Sequence, residues 1–352
     1  MDDDQRAFLD DLLSTATPSG FETAGQRAWV EYVSSFADDV RTDDYGNAVA
    51  VVEGDADTEV ALAGHGDEIG FMVRTIEDDG MLRLTPIGGS DRTISKGQHV
   101  RIHTDDGTVP GVIGQTAIHL RDPDDETIDD ITEQHVDIGV EDGEAAEELV
   151  EVGDPVTFDQ TVSELEGDRV AARGLDNRIG IWAAAEGLRR AAESGSEATV
   201  YAVSTVQEEL GLQGAKMVGF DLAPDAVIAT DVTHATDAPG TPSGKETGVE
   251  LGDGPVVARG SANHPRVVAA VREAADEEEI DVQLQATGLR TGTDADAFYT
   301  SRGGIPSLNL GVPNRYMHTP VEVLDLADLD ATADLLAAFA LRAHEQDFSV
   351  DV

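Results

Sequence analysis

In TVYAVSTVQEELGLQG, residues 199–214, a mostly apolar run of eight residues ends in two adjacent carboxylates, Glu208 and Glu209, and glycines follow at 211 and 214. The run reads as a buried strand. Two readings of its end are open. Either the strand simply reaches solvent, or Glu208 moves a proton while Glu209 holds a metal. Neighbouring residues on a strand point to opposite sides, so both acids can serve one site only where the strand has already stopped. Gly211 is consistent with a tight turn there.

Outward from this strand, the C-terminal half alternates helical and apolar extended patterns. LQGAKMVGF (212–220), NHPRVVAAVREAADEE (263–278) and DADAFYTSRG (294–303) are expected as helices, with 325–346 as a closing helical region. DAVIAT (225–230), DVQLQAT (281–287) and PSLNLG (306–311) are expected as strands between them. Just before the opening strand, NRIGIWAAAEGLRRAAES (177–194) reads as an Ala-rich helix. At the N-terminus, Phe8, Leu9, Leu12 and Leu13 form one helix face, and PSG (18–20) breaks it, with Ser19 as a candidate cap for the next helix. That helix, 21–36, carries Trp29, Val30, Val33 and Phe36 as its stripe. NAVAVVEG (47–54) and EVALAGH (59–65) look like neighbouring strands joined by an acidic turn. From about residue 70 to 165 the text changes to short alternating pieces such as FMVRTI, MLRLTPI and HVRIHT, separated by Gly and Asp turns, with one short helical candidate in DGEAAEELVE. The whole is α/β layering with a compact β module. Three sequential domains are the alternative. An insertion is preferred, because the strands before 70 are too few to form a domain alone.

Composition narrows the function. There are 71 acidic residues against 23 basic ones, a formal net charge of -48, and the acids are dispersed rather than gathered in a tail. Dispersed acids on a globular pattern suit high salt, where screening weakens self-repulsion. No basic patch offers itself to nucleic acid, which wants the opposite sign. Cysteine is absent, which removes disulfides, thiolate metal sites and thiol catalysis. MDDDQ is acidic with no apolar stretch behind it, and no run reaches transmembrane length. A cytoplasmic protein without membrane or nucleic-acid partners is therefore expected.

Metal-capable residues recur where apolar strands stop: ALAGHGDE (61–68), ARGLDNR (172–178), STVQEE (204–209), VIATDVTH (227–234) and RYMHTP (315–320). Sites in open α/β sheets form outside the carboxyl ends of strands, so such loops can converge. In a chain with 71 acids, an isolated Asp after a strand is usually a solvated residue. His is scarcer, with nine in all, and two of them, His65 and His318, stand in these places. Two imidazoles and several carboxylates suffice for two divalent ions bridged by one carboxylate. Such a mixed set suits zinc, cobalt or manganese better than magnesium or calcium, and zinc or cobalt are expected.

AGHGDEIGFMV, RGLDNRIG, TVQEELGLQGA, DVTHATDAPG, GTDADAF and PNRYMHTPVE, in that order over residues 63–322, resemble the TET (tetrahedral) aminopeptidases, a family of dinuclear metallopeptidases. Gly66 stands where many relatives carry Met. The resemblance implies a three-layer α/β metallopeptidase domain with a mixed central sheet, over 1–70 and 166–352. It implies an inserted β-barrel-like domain over 71–165 that supports assembly into a particle of twelve subunits. It also implies roles for single residues. His65 and Asp231 would hold one ion, His318 and Glu209 the other, and Asp176 would bridge them, with a cis peptide following it. Glu208 would be the general base and Asp67 the residue that orients His65. The activity implied is removal of N-terminal residues from short peptides. N-acyl amino acid or small amide deacylation by the same metals is an alternative. Glycoside hydrolysis is a weaker one, since it needs two free carboxylates flanking the bond.

Other segments stay open. Thr293 and Asp294 either lie near the substrate pocket or cap a helix. Arg290 and Arg302 either answer a substrate carboxylate or pair with a surface group. His264 is a helix N-terminal residue or a pocket neighbour. His99, His103, His119, His135 and His344 lack the strand-end setting and are expected to be structural or exposed.

Overall fold

The computed structural model describes residues 1–122 and 127–350. Two N-terminal helices, α1 (Asp3–Ser14) and α2 (Thr23–Val33), precede the strands β1 (Asp39–Thr42), β2 (Ala48–Val52) and β3 (Glu59–His65). Asp2 caps α1 by accepting from the Gln5 amide, and the Gln5 side chain returns the bond in a capping box. Ser19 does not cap α2. The residue at that cap is Glu22, and the Ser19 hydroxyl donates instead to Asp67 Oδ2 at 2.6 Å.

Next come β4 (Gly70–Ile76), β5 (Leu82–Ile87), β6 (His99–Thr104), β7 (Gly107–Ile113), β8 (His135–Asp137), the short helix α3 (Gly143–Glu147) and β9 (Pro155–Phe158). These six strands close into an antiparallel barrel in the order β4-β5-β8-β7-β6-β9. Its core is its own: Phe71, Leu82, Leu84, Ile102, Val156 and Phe158 are buried together. Alternation along each short strand sends every second side chain inward, and closure leaves no unpaired edge.

The chain returns through β10 (Ser163–Leu165) and β11 (Arg169–Ala172) to the long helix α4 (Leu175–Glu193), then β12 (Thr199–Thr205), α5 (Gln213–Asp221) and β13 (Ala226–His234). It finishes with β14 (Val256–Arg259), α6 (Pro265–Glu277), β15 (Gln283–Ala286), α7 (Ala295–Phe298), β16 (Ser307–Asn314), β17 (Glu322–Asp325) and α8 (Leu326–Arg342). The central sheet is mixed and eight-stranded, in the order β1-β2-β12-β3-β13-β16-β14-β15. Its middle strands β12, β3, β13 and β16 are mutually parallel. The strands β2 and β3 are therefore not neighbours, as their sequence proximity suggests, because β12 lies between them, antiparallel to β2 and parallel to β3. A short acidic connection allows a hairpin but does not compel one. A small antiparallel sheet, β10-β11-β17, joins the central one only by a bridge between Arg315, just past β16, and Val323 of β17, among the described residues.

Both faces of the central sheet are covered. Val60 and Leu62 of β3 pack with α1, α4 and α8, while Ala61 and Ala63 pack with α5 and α7. Burial on both sides is why these strands read as continuous apolar runs rather than alternating ones. Helix α4 lies so close to β3 that a Cβ on Gly64 would come 2.5 Å from the Gly180 carbonyl carbon, and this contact sets the start of α4 beside the end of β3. The helix expected over 294–303 is shorter than its pattern: α7 stops at Phe298, and Arg302 takes φ +49° just before Gly303 and Gly304.

Candidate metal centre

His65 is the last residue of β3, Asp231 lies within β13, and Glu208 and Glu209 follow the end of β12. His318 lies beyond β16, and Asp176 opens α4. All six meet at the carboxyl ends of the parallel strands. Strand β12 stops at Thr205, and Gln207 turns the chain with φ +55°, so Glu208 and Glu209 both face one crevice. Gly211, at φ +104°, closes the turn by donating to the Glu208 carbonyl at 2.7 Å. His318 is itself left-handed, at φ +62°, and the Asp176–Asn177 peptide bond is cis.

The six form two groups of three, His65 with Glu208 and Asp231, and His318 with Asp176 and Glu209; within each group the ligand-capable atoms lie within 4.8 Å of one another. Asp176 links the groups. Its Oδ1 lies 3.3 Å from His65 Nε2 and its Oδ2 lies 3.2 Å from His318 Nε2. Asp231 Oδ1 is 3.7 Å and Glu208 Oε2 3.8 Å from His65 Nε2, and Glu209 Oε1 is 3.4 Å from His318 Nε2. His65, Asp176, Asp231 and Glu208 are buried, while Glu209 and His318 are half-buried.

So many acids in one buried place cannot all stay ionised unaided. Burial pushes Glu208 up to about 10 and Asp231 up to about 7, and it raises Glu209 as well. Burial opposes charge on Asp176 too, but hydrogen bonds from His318 and His65 outweigh it and hold this carboxyl below its usual range. His318 is lifted to about 11 by its bonds to Asp176 and Glu209. For His65, burial acts downward, and the nearby charges of Glu208 and Asp231 raise it overall. Two imidazoles with four convergent carboxylates are a donor set that fits two divalent ions.

Asp67 sits with Oδ1 3.2 Å from His65 Nδ1, although that nitrogen lacks a well-directed hydrogen bond. Its oxygens are engaged elsewhere: Oδ1 accepts from the Glu208 amide at 2.9 Å and Oδ2 from the Glu209 amide at 3.2 Å. Fully buried, it clamps the backbone that carries both glutamates. The barrel also reaches the site. The Gly89 carbonyl lies 3.2 Å from His318 Nδ1, and a Cβ on Gly88 would meet the Glu209 side chain at 3.2 Å.

Beside these residues opens a cleft of about 410 Å³ whose other walls include Thr233, His234, Gln285, Thr291, Thr293 and Asn309. Thr293 both lines the cleft and accepts the Ala295 amide at the start of α7. Asp294 caps nothing with its side chain. It is buried and accepts from the Thr205 hydroxyl at 2.5 Å. Arg302 is remote from this cleft's walls and donates to the Asp221 carbonyl at 2.7 Å. Arg290 lies exposed on the loop before Thr291, and His264 precedes α6 outside the cleft lining. Sequence reading missed Glu68 and Glu322. Glu68 is buried against Arg173 and Arg178, and Glu322 accepts the amides of Asp176 and His318. Glu68 closes the strand-end segment ALAGHGDE but belongs to neither ligand group, and Glu322 opens β17 rather than ending a strand, so the strand-end signal could not reveal either one's partners.

Residues 46–335 match the family model described as M42 glutamyl aminopeptidase. The chain is 37% identical to a lysyl aminopeptidase of Pyrococcus furiosus over 96% of its own length and 97% of the relative's. The fold superposes on a TET aminopeptidase from a marine sediment thaumarchaeote with a TM-score of 0.91 at 31% identity, covering 97% of this chain and 98% of that one. It superposes on the Pyrococcus horikoshii TET1 peptidase, described as able to assemble into a tetrahedron or a large octahedral shell, with a TM-score of 0.85 at 32% identity, covering 96% and 99%. Among the described residues, no helix is long and apolar enough to cross a membrane. Sequence, fold and the paired ligand groups agree: the chain belongs to the M42 glutamyl aminopeptidase family, as a metal-dependent aminopeptidase with a dinuclear site.

Proposed function

We propose that this enzyme releases N-terminal residues from short peptides, with one ion held by His65 and Asp231, a second by His318 and Glu209, and Asp176 shared between them. The placing of Asp176 carries this reading, since its two oxygens face the two imidazoles at 3.3 and 3.2 Å. Zinc or cobalt suits the donors, and when bound such ions supply Lewis acidity toward a carbonyl and make water more acidic. Glu208 is the general base. It reaches the crevice without being needed to complete either His–carboxylate pair, and the positive charge of ions bound beside it would favour the ionised form that a base requires. The same group can return that proton to the departing amine. Asp67 holds Glu208 in place through the backbone. The cleft walls supply hydroxyls and amides to the rest of the substrate.

We read residues 1–70 and 166–352 as the catalytic unit and 71–165 as an insertion that serves assembly; the closed barrel with its own core supports this. A homododecamer is the assembly we favour, on the likeness (TM-score 0.83, 32% identity) to the PhTET1-12s structure, which is described as a dodecamer. Subunits carrying -48 must meet through screened faces, so assembly in molar salt follows from the charge. The test is hydrolysis of an aminoacyl-p-nitroanilide and of paired free and N-acetylated peptides, with and without chelator. Chelator-sensitive cleavage of the free peptides alone is expected. Preference for the N-acetylated member would establish a deacylase instead, and chelator-insensitive turnover would remove the metal mechanism.

A further inference from the structure

The dinuclear reading leaves Glu322 without a role, yet its surroundings are specific. It begins β17, pairs with Ala172 of β11, and is 1% exposed. Its Oε2 accepts from the Asp176 backbone amide at 2.9 Å and its Oε1 from the His318 backbone amide at 2.9 Å. The side chains of these two residues meet at 3.2 Å, between Asp176 Oδ2 and His318 Nε2. One carboxylate therefore spans, from behind, the backbones of the two residues that touch in front. Glu322 belongs to neither ligand group, and both of its oxygens are spent on amides.

We propose that Glu322 is the positioning residue of the His318 half-site: it fixes the spacing of Asp176 and His318, and so sets the affinity of the ion they share. The inference rests on the two-ion reading above. Asp67 is built the same way on the other side, with one oxygen on each of the Glu208 and Glu209 amides. A carboxylate is the group that can do this, because both of its oxygens accept and neither donates. The bond to His318 matters all the more because this residue sits at φ +62°, where a side-chain-bearing residue needs its backbone held. The other constraint on His318 comes from the barrel: its Nδ1 lies 3.2 Å from the Gly89 carbonyl, and a Cβ at Gly89 would come within 2.9 Å of that nitrogen. The half-site is thus gripped at the main chain by Glu322 and at the ring by Gly89. His65 has neither contact, so disturbing Glu322 should weaken the His318 ion most, while the second ion feels it only through the shared Asp176.

The test is Glu322→Gln in the full-length protein, which keeps size but turns one acceptor into a donor facing an amide. Zinc and, separately, cobalt are titrated against a competing chelator, with melting followed in excess chelator and kcat and KM measured across added metal. Loss of a group that orients a ligand commonly weakens metal affinity about 10–100-fold. The expected result is a loss of that size for the His318 ion, a clearly smaller loss for the second ion that shares Asp176, metal-free melting close to wild type, and recovery of kcat at high metal. Gly89→Ala, acting on the same histidine from the barrel, should weaken the same ion. If Glu322→Gln does not fold, Glu322→Asp, which keeps the charge but shortens the reach, takes its place with the same expectation. Two ions bound at wild-type affinity, or both weakened equally, would overturn the role given to Glu322. A wild-type protein that binds a single ion would instead overturn the two-ion reading on which it rests.

Discussion

Replacing Glu208 and Glu209 one at a time by Gln should separate a base from a ligand. The two side chains are adjacent in sequence, lie on one turn, and share the Asp67 clamp on their amides. Their distances differ in meaning. Glu209 Oε1 lies 3.4 Å from His318 Nε2, in the group with Asp176, whereas Glu208 Oε2 lies 3.8 Å from His65 Nε2, beside Asp231, which already serves that imidazole. Glu208→Gln should therefore keep both ions. It should lose turnover by about 10²–10⁴-fold, the usual contribution of a general base, because its amide cannot accept a proton. That corresponds to about 3–5 kcal/mol of barrier. With Glu208 buried at 8% exposure, bulk water has little access to replace it. Glu209→Gln should lose the ion with His318, and added metal should restore part of its activity while doing nothing for Glu208→Gln. The assay is metal analysis after identical dialysis, with aminoacyl-p-nitroanilide turnover in the same salt. The geometry also lets Glu208 act as a third ligand beside His65 and Asp231. If Glu208→Gln loses an ion and Glu209→Gln keeps both, the two roles are reversed; if neither variant changes metal content or rate, the site is elsewhere.

Three other outcomes follow from the structure. Sedimentation through a salt series should show smaller species or unfolding as salt falls, since each chain carries -48; a particle unchanged at about 10 mM salt would contradict this. Glu68→Gln should cost about 3–5 kcal/mol in denaturant unfolding, because it leaves the buried Arg173 and Arg178 without their counter-charge. The folded-state pKa of Glu68 is depressed, with burial opposing and Arg173 and Arg178 prevailing, so its contribution is complete above about 4.5 and is lost as pH falls through the folded value. The variant should accordingly show a flatter acid limb, and an equally steep one would refute the assignment. Trp182→Ala should destabilise by about 3–5 kcal/mol, since the ring is fully buried in the helix-side core and its Nε1 donates to the Gln5 carbonyl at 3.0 Å; a chemical melt within 1 kcal/mol of wild type would refute that packing.

Much of the candidate metal centre was legible in the sequence because its signal is local. An apolar strand that stops at His65, at Glu208–Glu209 or just past Asp231 can be read from a few consecutive residues, and parallel strands bring such ends together. The α/β pattern and the run of short barrel strands were legible for the same reason, since periodicity is a property of a short window. Tertiary structure alone decided what depends on partners distant in the chain. It put β12 between β2 and β3, turned Ser19 from a helix cap into a donor to Asp67, and gave Asp294 to Thr205. It set the oxygens of Asp176 toward two histidines, aimed Glu322 at two backbone amides, and brought the Gly89 carbonyl from the barrel to His318. An acceptor for a backbone amide can be any acid that the fold delivers, and a chain with 71 of them offers too many candidates for spacing to choose among. Which acid becomes a ligand, a clamp or a solvated surface group is settled by burial and by the neighbour across the sheet, and both exist only once the chain has folded.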